Sequence, residues 1–251
     1  MSDPRLVKKV YNLHLALYRE LNDIHIFLAH TLPILVETTA RFQTMKTKSD
    51  KTFLVPSRQG KKGLARRTPQ EVSKIIQRFA SRDLHANLLV ACVSRSESLL
   101  NDVLRAFLTK YPTKLTVGLK GGDSSKSVPI AVVIAAKDID EVLSSIIDTR
   151  LQGVFYAEPK EYLSYFESIT GVKLPEESFL KFAEIKATRD LVIHNNGLSN
   201  ELYARKAGTL ARAENGEPVE IDEVYFSAAI STMKSISSEI EKQVRASHAK
   251  A

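Results

Sequence analysis

Leu6, Val10, Leu13, Leu17, Leu21, Ile24 and Leu28 follow one another at spacings of three and four residues. That period lays an apolar stripe along one face of a helix and does not fit a strand, whose faces alternate every second residue. Such a stripe must be covered by other apolar faces. The chain supplies one in Leu84, Leu88, Leu89, Cys92, Val93, Leu99, Leu100, Val103, Leu104 and Phe107. Start signals stand where these helices need them. Asp3 can cap and Pro4 can take the first helical position. Thr68-Pro69-Gln70-Glu71 forms a capping box, and Pro175-Glu176-Glu177 sets two carboxylates at the positive end of another helix dipole. Helices are therefore expected from Pro4, from Thr68 to about Ser81, and from Leu84 toward Tyr111. More should follow from Asp138 through Ile147, from Pro159 to Gly171, from Pro175 into the segment discussed below, from Ser199 to Gly208, and from about Asp222 to Arg245. Pro33 should interrupt the first helix or start a second, with Ile34, Leu35 and Phe42 as core candidates. Thr52 to Pro56 can form a short strand, and Val128 to Ala136 is apolar and β-branched. Ten glycines and nine prolines in 251 residues suit long helices better than many short strands. The expected fold class is all-α. Residues 1–137, with a basic loop at 46–67, should pack on a bundle formed by residues 138–251 rather than fold apart from it.

The single cysteine, Cys92, excludes an intramolecular disulfide and a thiolate zinc site, and its apolar neighbours predict a buried thiol. His14, His25 and His30 lie too far apart in sequence to make a compact ligand pair, so no metal or cofactor is expected. No apolar run approaches the roughly 18 residues of a membrane span. The charged start, M-S-D-P-R-L-V-K-K, lacks the apolar stretch of a signal peptide, so the expected compartment is the cytoplasm. The +7 formal charge is local. Between Met45 and Arg67 stand Lys46, Lys48, Lys51, Arg58, Lys61, Lys62, Arg66 and Arg67 against Asp50 alone, a net +7 that equals the charge of the whole chain. Lys61, Lys62, Arg66 and Arg67 are candidates for gripping a phosphate backbone; the alternative is a solvated loop. Residues 120–127 resemble a phosphate loop only superficially, because Ser125 stands where a glycine should precede Lys126-Ser127. A flexible connector is expected there.

The segment most suggestive of chemistry is Thr188 to Gly197, T-R-D-L-V-I-H-N-N-G. Asp190 and His194 are four apart, on one helical face, where a carboxylate can fix the imidazole tautomer and raise its proton affinity. Arg189 is five positions from His194, about 140° round an ideal helix. Both can meet one ligand only if the helix end unwinds or a second subunit contributes. In isolation, an arginine and a histidine near a helix end are ordinary dipole partners.

The longer run from Ile185 to Gly197, with Tyr203 and Lys206 after it, resembles the signature of the HEPN superfamily (higher eukaryotes and prokaryotes nucleotide-binding). That signature is an arginine, a polar residue, a few variable positions, then a histidine often followed by asparagine. Arg189, Asp190, His194 and Asn195 match it in turn. The detailed resemblance covers about Tyr162 to Gly208, a fifth of the chain. It implies a HEPN-like helical bundle with additional N-terminal helices, dimerising so that two motifs face one cleft. It also implies metal-independent endoribonuclease activity of the toxin or defence type, with RNA as substrate and a cognate antitoxin or regulatory protein as a further class of partner. Arg189 and His194 would be catalytic. His194 would take the proton of the ribose 2′-OH, and Arg189 would hold the scissile phosphate. Asp190 would orient His194, while Asn195 would bind phosphate or cap the helix. The alternative is a catalytically inactive HEPN protein that serves as a binding or dimerisation module; a different nucleotide-handling enzyme is a third class. Glu97 can support Arg189 or form a boundary salt bridge, and Tyr203 can stack a base or be buried against the bundle.

Overall fold

The computed structural model describes residues 3–46, 53–56, 64–118, 129–155 and 157–248, and the fold they form is all-α. The helices are α1 (Pro4–Thr44), α2 (Pro69–Arg78), α3 (Leu84–Lys110), α4 (Ile130–Ala135), α5 (Ile139–Phe155), α6 (Pro159–Thr170), α7 (Glu176–His194), α8 (Glu201–Ala207) and α9 (Glu223–His248). A two-stranded antiparallel hairpin, β1 (Phe53–Pro56) and β2 (Leu64–Arg67), pairs Phe53 with Arg67 and Leu54 with Arg66. The first strand follows the sequence pattern. The second, with two arginines in four residues, does not.

α1 begins as its sequence dictates. The Asp3 carboxylate accepts from the backbone N–H groups of Arg5 and Leu6, both at 3.1 Å. The bond from Lys110, then the N–H of Leu6, holds its pKa below the ordinary value. Pro33, however, neither interrupts this helix nor starts another: α1 runs unbroken for 41 residues, about 60 Å. The hydrogen bond that proline deletes would have ended on the carbonyl of Ala29. Ala29 and Pro33 are both exposed, so water can satisfy that oxygen. Leu28 and Leu32 meanwhile keep the apolar stripe in phase on the packed side. Of the core candidates beyond Pro33, Leu35 and Phe42 are half-buried, while Ile34 lies on the surface.

The stripe of α1 packs along α9 in antiparallel register. The backbone N–H of Asp3 donates to the His248 carbonyl at 2.9 Å, His14 meets the Ser237 hydroxyl at 2.8 Å, and Lys234 donates to Asn22 at 2.6 Å. The C-terminal part of α1 packs on α2, where the Ser73 hydroxyl donates to the Thr39 carbonyl at 3.0 Å. α2 opens with the complete capping box of Thr68 and Glu71. It joins α3 through a π turn at Phe79–Asp83, closed by the Leu84 N–H donating to the Phe79 carbonyl. α3 is the axis of the core. Leu89, Cys92, Val93, Val103, Leu104, Phe107 and Leu108 are buried in one continuous apolar cluster shared with α1, α5, α6, α7 and α9. Burial pushes the Cys92 thiol up to about 12, which keeps it protonated and inert. α4 differs from the other helices: Ile130 and Ile134 are 75% and 76% exposed, and none of its residues is buried. Among the described residues no helix is long and apolar enough to cross a membrane.

His85, at the start of α3, is 4% exposed and packs edge-on against Phe226, 5.5 Å between ring centroids. Neither of its ring nitrogens has a hydrogen-bond partner among the described residues. Burial lowers its pKa, opposed only in part by Glu223 and Asp222. A histidine with a depressed folded pKa takes up its proton in the unfolded chain first. Stability should therefore fall as pH drops below about 6.5, the value of an unperturbed histidine. Urea unfolding midpoints measured across that region should decline on acidification in the native sequence and stay flatter in His85→Phe.

Candidate functional site

α7 lies between α3 and α9 and is buried on more than one face: Phe179, Phe182, Ala183, Glu184, Ile185, Ala187, Thr188 and Leu191 are all inaccessible. A helix in that position can carry charge only where a partner meets it. Two clusters result, on different sides.

The first surrounds Arg189. Its guanidinium is ion-paired through Nη2 with Glu97 of α3, and Nη1 lies 3.3 Å from Asp190. Glu97 also faces Lys186, with Nζ and Oε1 2.9 Å apart but out of hydrogen-bond alignment. The Lys186 ammonium sits over the Phe155 ring at 4.1 Å and donates to the Phe155 carbonyl. Lys206 of α8 reaches Asp190 at 3.5 Å. The Nε of Arg189 is buried without an acceptor among the described residues. These side chains, with His194, border a cavity of about 390 Å³. Three cations, Lys186, Arg189 and Lys206, face two carboxylates, Glu97 and Asp190, and the balance favours an anion.

Arg189 and His194 thus border the same cavity within one chain, and α7 remains helical through His194. The helix end does not unwind, and both residues nevertheless line the one cavity. Beyond His194 the helix stops sharply. Asn196 and Gly197 take left-handed conformations with φ of 52° and 76°, and the Gly197 N–H donates back to the Leu191 carbonyl at 3.0 Å. His194 is exposed at this end.

Asp190 is not paired with His194. It lies between Arg189 and Lys206, whose full charges hold the carboxylate. Asn195 stands at the C-cap, borders the cavity, and its side-chain amide donates to the Leu198 carbonyl at 2.6 Å. Tyr203 is 1% exposed and belongs to the core. Of the basic candidates, Lys61 and Lys62 lie outside the described residues. Arg66 and Arg67 sit on β2, and neither borders the cavity. Arg67 lies 3.5 Å from Glu71 in an open ion pair. Among the described residues no group of three or more histidine, cysteine, aspartate or glutamate side chains could hold a metal ion.

The second cluster lies on another face of α7, and no motif in the sequence announces it. Buried Glu184 accepts from the hydroxyls of Thr188 at 2.7 Å, Tyr203 at 3.0 Å and Tyr225 at 2.8 Å, and from Arg212 Nε at 3.0 Å. Arg212 stacks on the Tyr225 ring at 3.5 Å and donates to the Glu220 carbonyl at 2.6 Å. Burial raises the pKa of both tyrosines, which keeps their hydroxyls available as donors. The cluster ties α7, α8, the loop before α9, and α9 itself together. It thereby fixes the rotation of α7 that aims Arg189 at the cavity. One local cue exists: Glu184 stands among Phe182, Ala183 and Ile185, and Thr188 follows it at i+4.

Comparison with protein-family models, curated proteins and solved structures finds no match to this chain.

Glu184→Ala should leave Arg212 and three hydroxyls short of an acceptor and cost about 3 kcal/mol, the low end for breaking a buried pair because Arg212 is partly exposed. Lys206→Ala, which removes a half-buried partner of Asp190 and leaves it Arg189, should cost less than about 1 kcal/mol. Urea denaturation of the two variants would compare them directly; equal losses would contradict the distinction.

Proposed function

We propose that this protein is a metal-independent endoribonuclease of the HEPN type, toxin or defence in role, that cleaves RNA by attack of the ribose 2′-OH. The observation that carries the reading is that Arg189 and His194 border one cavity whose charged groups leave a net positive charge. RNA brings its own nucleophile, so the protein needs a base, an acid and a stabiliser of charge on phosphorus. His194, exposed at the helix end, removes the 2′-OH proton. The 2′ oxygen then attacks phosphorus and the bond to the 5′ oxygen breaks. That oxygen leaves as a 5′-OH after receiving a proton, and a 2′,3′-cyclic phosphate remains. Arg189, oriented by Glu97, brings its charge toward the phosphate in the pentacoordinate state. Lys186 and Lys206 add attraction for the flanking backbone. The acid is the partner subunit's His194 in a homodimer, because a single imidazole cannot be deprotonated and protonated for one step at once.

A second reading has its own support. Arg189 already has two carboxylate neighbours, Glu97 and Asp190, an arrangement that a purely structural arginine would also adopt. On that reading the protein is a catalytically inactive HEPN module for binding or dimerisation.

Digestion of a broad RNA panel in EDTA, with end-group analysis, separates the two. The nuclease reading expects cleavage with 2′,3′-cyclic phosphate and 5′-OH ends; metal-dependent cleavage or 5′-phosphate ends would contradict it. Arg189→Ala should slow cleavage by about 30- to 1000-fold. His194→Ala should slow it by about 100- to 10,000-fold, with both variants folded. Excess His194→Ala chains mixed with native ones should suppress activity beyond simple dilution. Full activity from a demonstrated monomer would rule out a shared site.

A further inference from the structure

The cavity beside Arg189 is larger and more apolar than a grip on phosphate requires. Its volume of about 390 Å³ lies within the roughly 300–1,000 Å³ range of small-molecule pockets. Leu100, Leu104, Leu151, Val154, Tyr162 and Phe179 contribute an apolar wall to it. A sugar-phosphate backbone gains little from such a wall, whereas a flat heteroaromatic ring gains burial on both faces. Besides His194 and the Arg189 Nε, two polar groups on the lining are uncommitted among the described residues. The Asn101 amide and the Tyr162 hydroxyl make no hydrogen bond to other described residues. The neighbouring amides are engaged: Asn195 donates to the Leu198 carbonyl and Asn200 accepts from the Tyr203 N–H. Asn101 lies one helical turn after Glu97 on α3 and so shares the face that holds Arg189. Burial raises the pKa of Tyr162, which keeps its hydroxyl protonated and able to donate.

We infer that the cavity is a nucleobase pocket, with Asn101 and Tyr162 as the residues that discriminate among bases. The inference rests on the ribonuclease reading above and deepens it. A nucleotide of single-stranded RNA turns its base into the apolar part. The Asn101 amide, which both donates and accepts, meets the base edge together with the Tyr162 hydroxyl. The adjoining phosphate then lies at Lys186, Arg189 and Lys206, within reach of His194. Cleavage is therefore base-selective, and duplex RNA, whose bases are stacked and paired, is a poor substrate.

Calorimetric titration of the full chain with the 3′-monophosphates of adenosine, cytidine, guanosine and uridine tests this, with ribose 5-phosphate as the probe that lacks a base. At least one nucleotide should bind about tenfold or more tighter than ribose 5-phosphate, and the four should differ. Asn101→Ala and Tyr162→Phe should each narrow the spread among the four by about fivefold, the effect of one neutral hydrogen bond, without altering ribose 5-phosphate binding. Ribose 5-phosphate binding as tightly as every nucleotide would overturn the pocket, as would variants that weaken all five probes equally. The two readings fail separately. RNA cleavage with no base preference, together with base-blind binding, sinks the pocket and leaves the nuclease. Base-dependent binding in a chain that cleaves no RNA sinks the nuclease and leaves the pocket.

Discussion

A helix enclosed by others cannot leave a charge without a partner, and α7 is arranged around that constraint. Glu184, Lys186, Arg189 and Asp190 fall within seven residues of a segment whose remaining positions are mostly buried. Each is answered from elsewhere in the chain: Glu184 by Arg212 and two tyrosines, Lys186 and Arg189 by Glu97, and Asp190 by Lys206. An unpaired charge at such depth would cost several kcal/mol, so the pairs dictate the rotation and depth at which α7 can seat. The apolar contacts set how closely α7 packs; the ionic ones add direction. The position of the candidate site follows from that difference, because Arg189 faces the cavity only when Glu184 faces away from it.

Much of the architecture was legible because helical period and capping chemistry are local properties. The stripe from Leu6 to Leu28, the apolar face from Leu84 to Phe107 and the Thr68–Glu71 box all specify structure within a few residues of themselves. Gly171, with a φ of 73°, ends α6 where its sequence position suggests. Pro33 was misleading because its cost depends on what surrounds it. A missing donor is severe in a buried turn and mild where the orphaned carbonyl of Ala29 faces solvent. The pairing of Leu64–Arg67 with Phe53–Pro56 was hidden for a related reason, since a short strand rich in arginine is defined by its partner and not by its own pattern.

The candidate site divides along the same line. Arg189, Asp190, His194 and Asn195 are adjacent in sequence and could be singled out together, but their pairings could not. Spacing places Asp190 on the same face as His194, whereas its carboxylate meets Arg189 and Lys206, the second of which comes from the next helix. Glu97, 92 residues before Arg189, could be weighed as a support and not chosen, because nothing near it in sequence points to α7. Glu184 and Arg212 form the most heavily bonded polar cluster described here, and only tertiary packing brings them together. Asn101 stands in the same class: an asparagine in an apolar helix reads as an interruption until the cavity beside it is seen.

The π turn between α2 and α3 has a consequence for how the N-terminal part can vary. Five residues there close one loop of backbone where four would suffice, so the helices on either side are out of phase by one residue. Loss of any single residue from Phe79 to Asp83 would let the turn wind as ordinary α-helix and rotate α2 by about 100° about its axis. Ser73 would then swing away from Thr39, and the end of α1 would face the charged side of α2. Length at this junction is therefore held more tightly than residue identity: substitutions can pass where a one-codon deletion cannot.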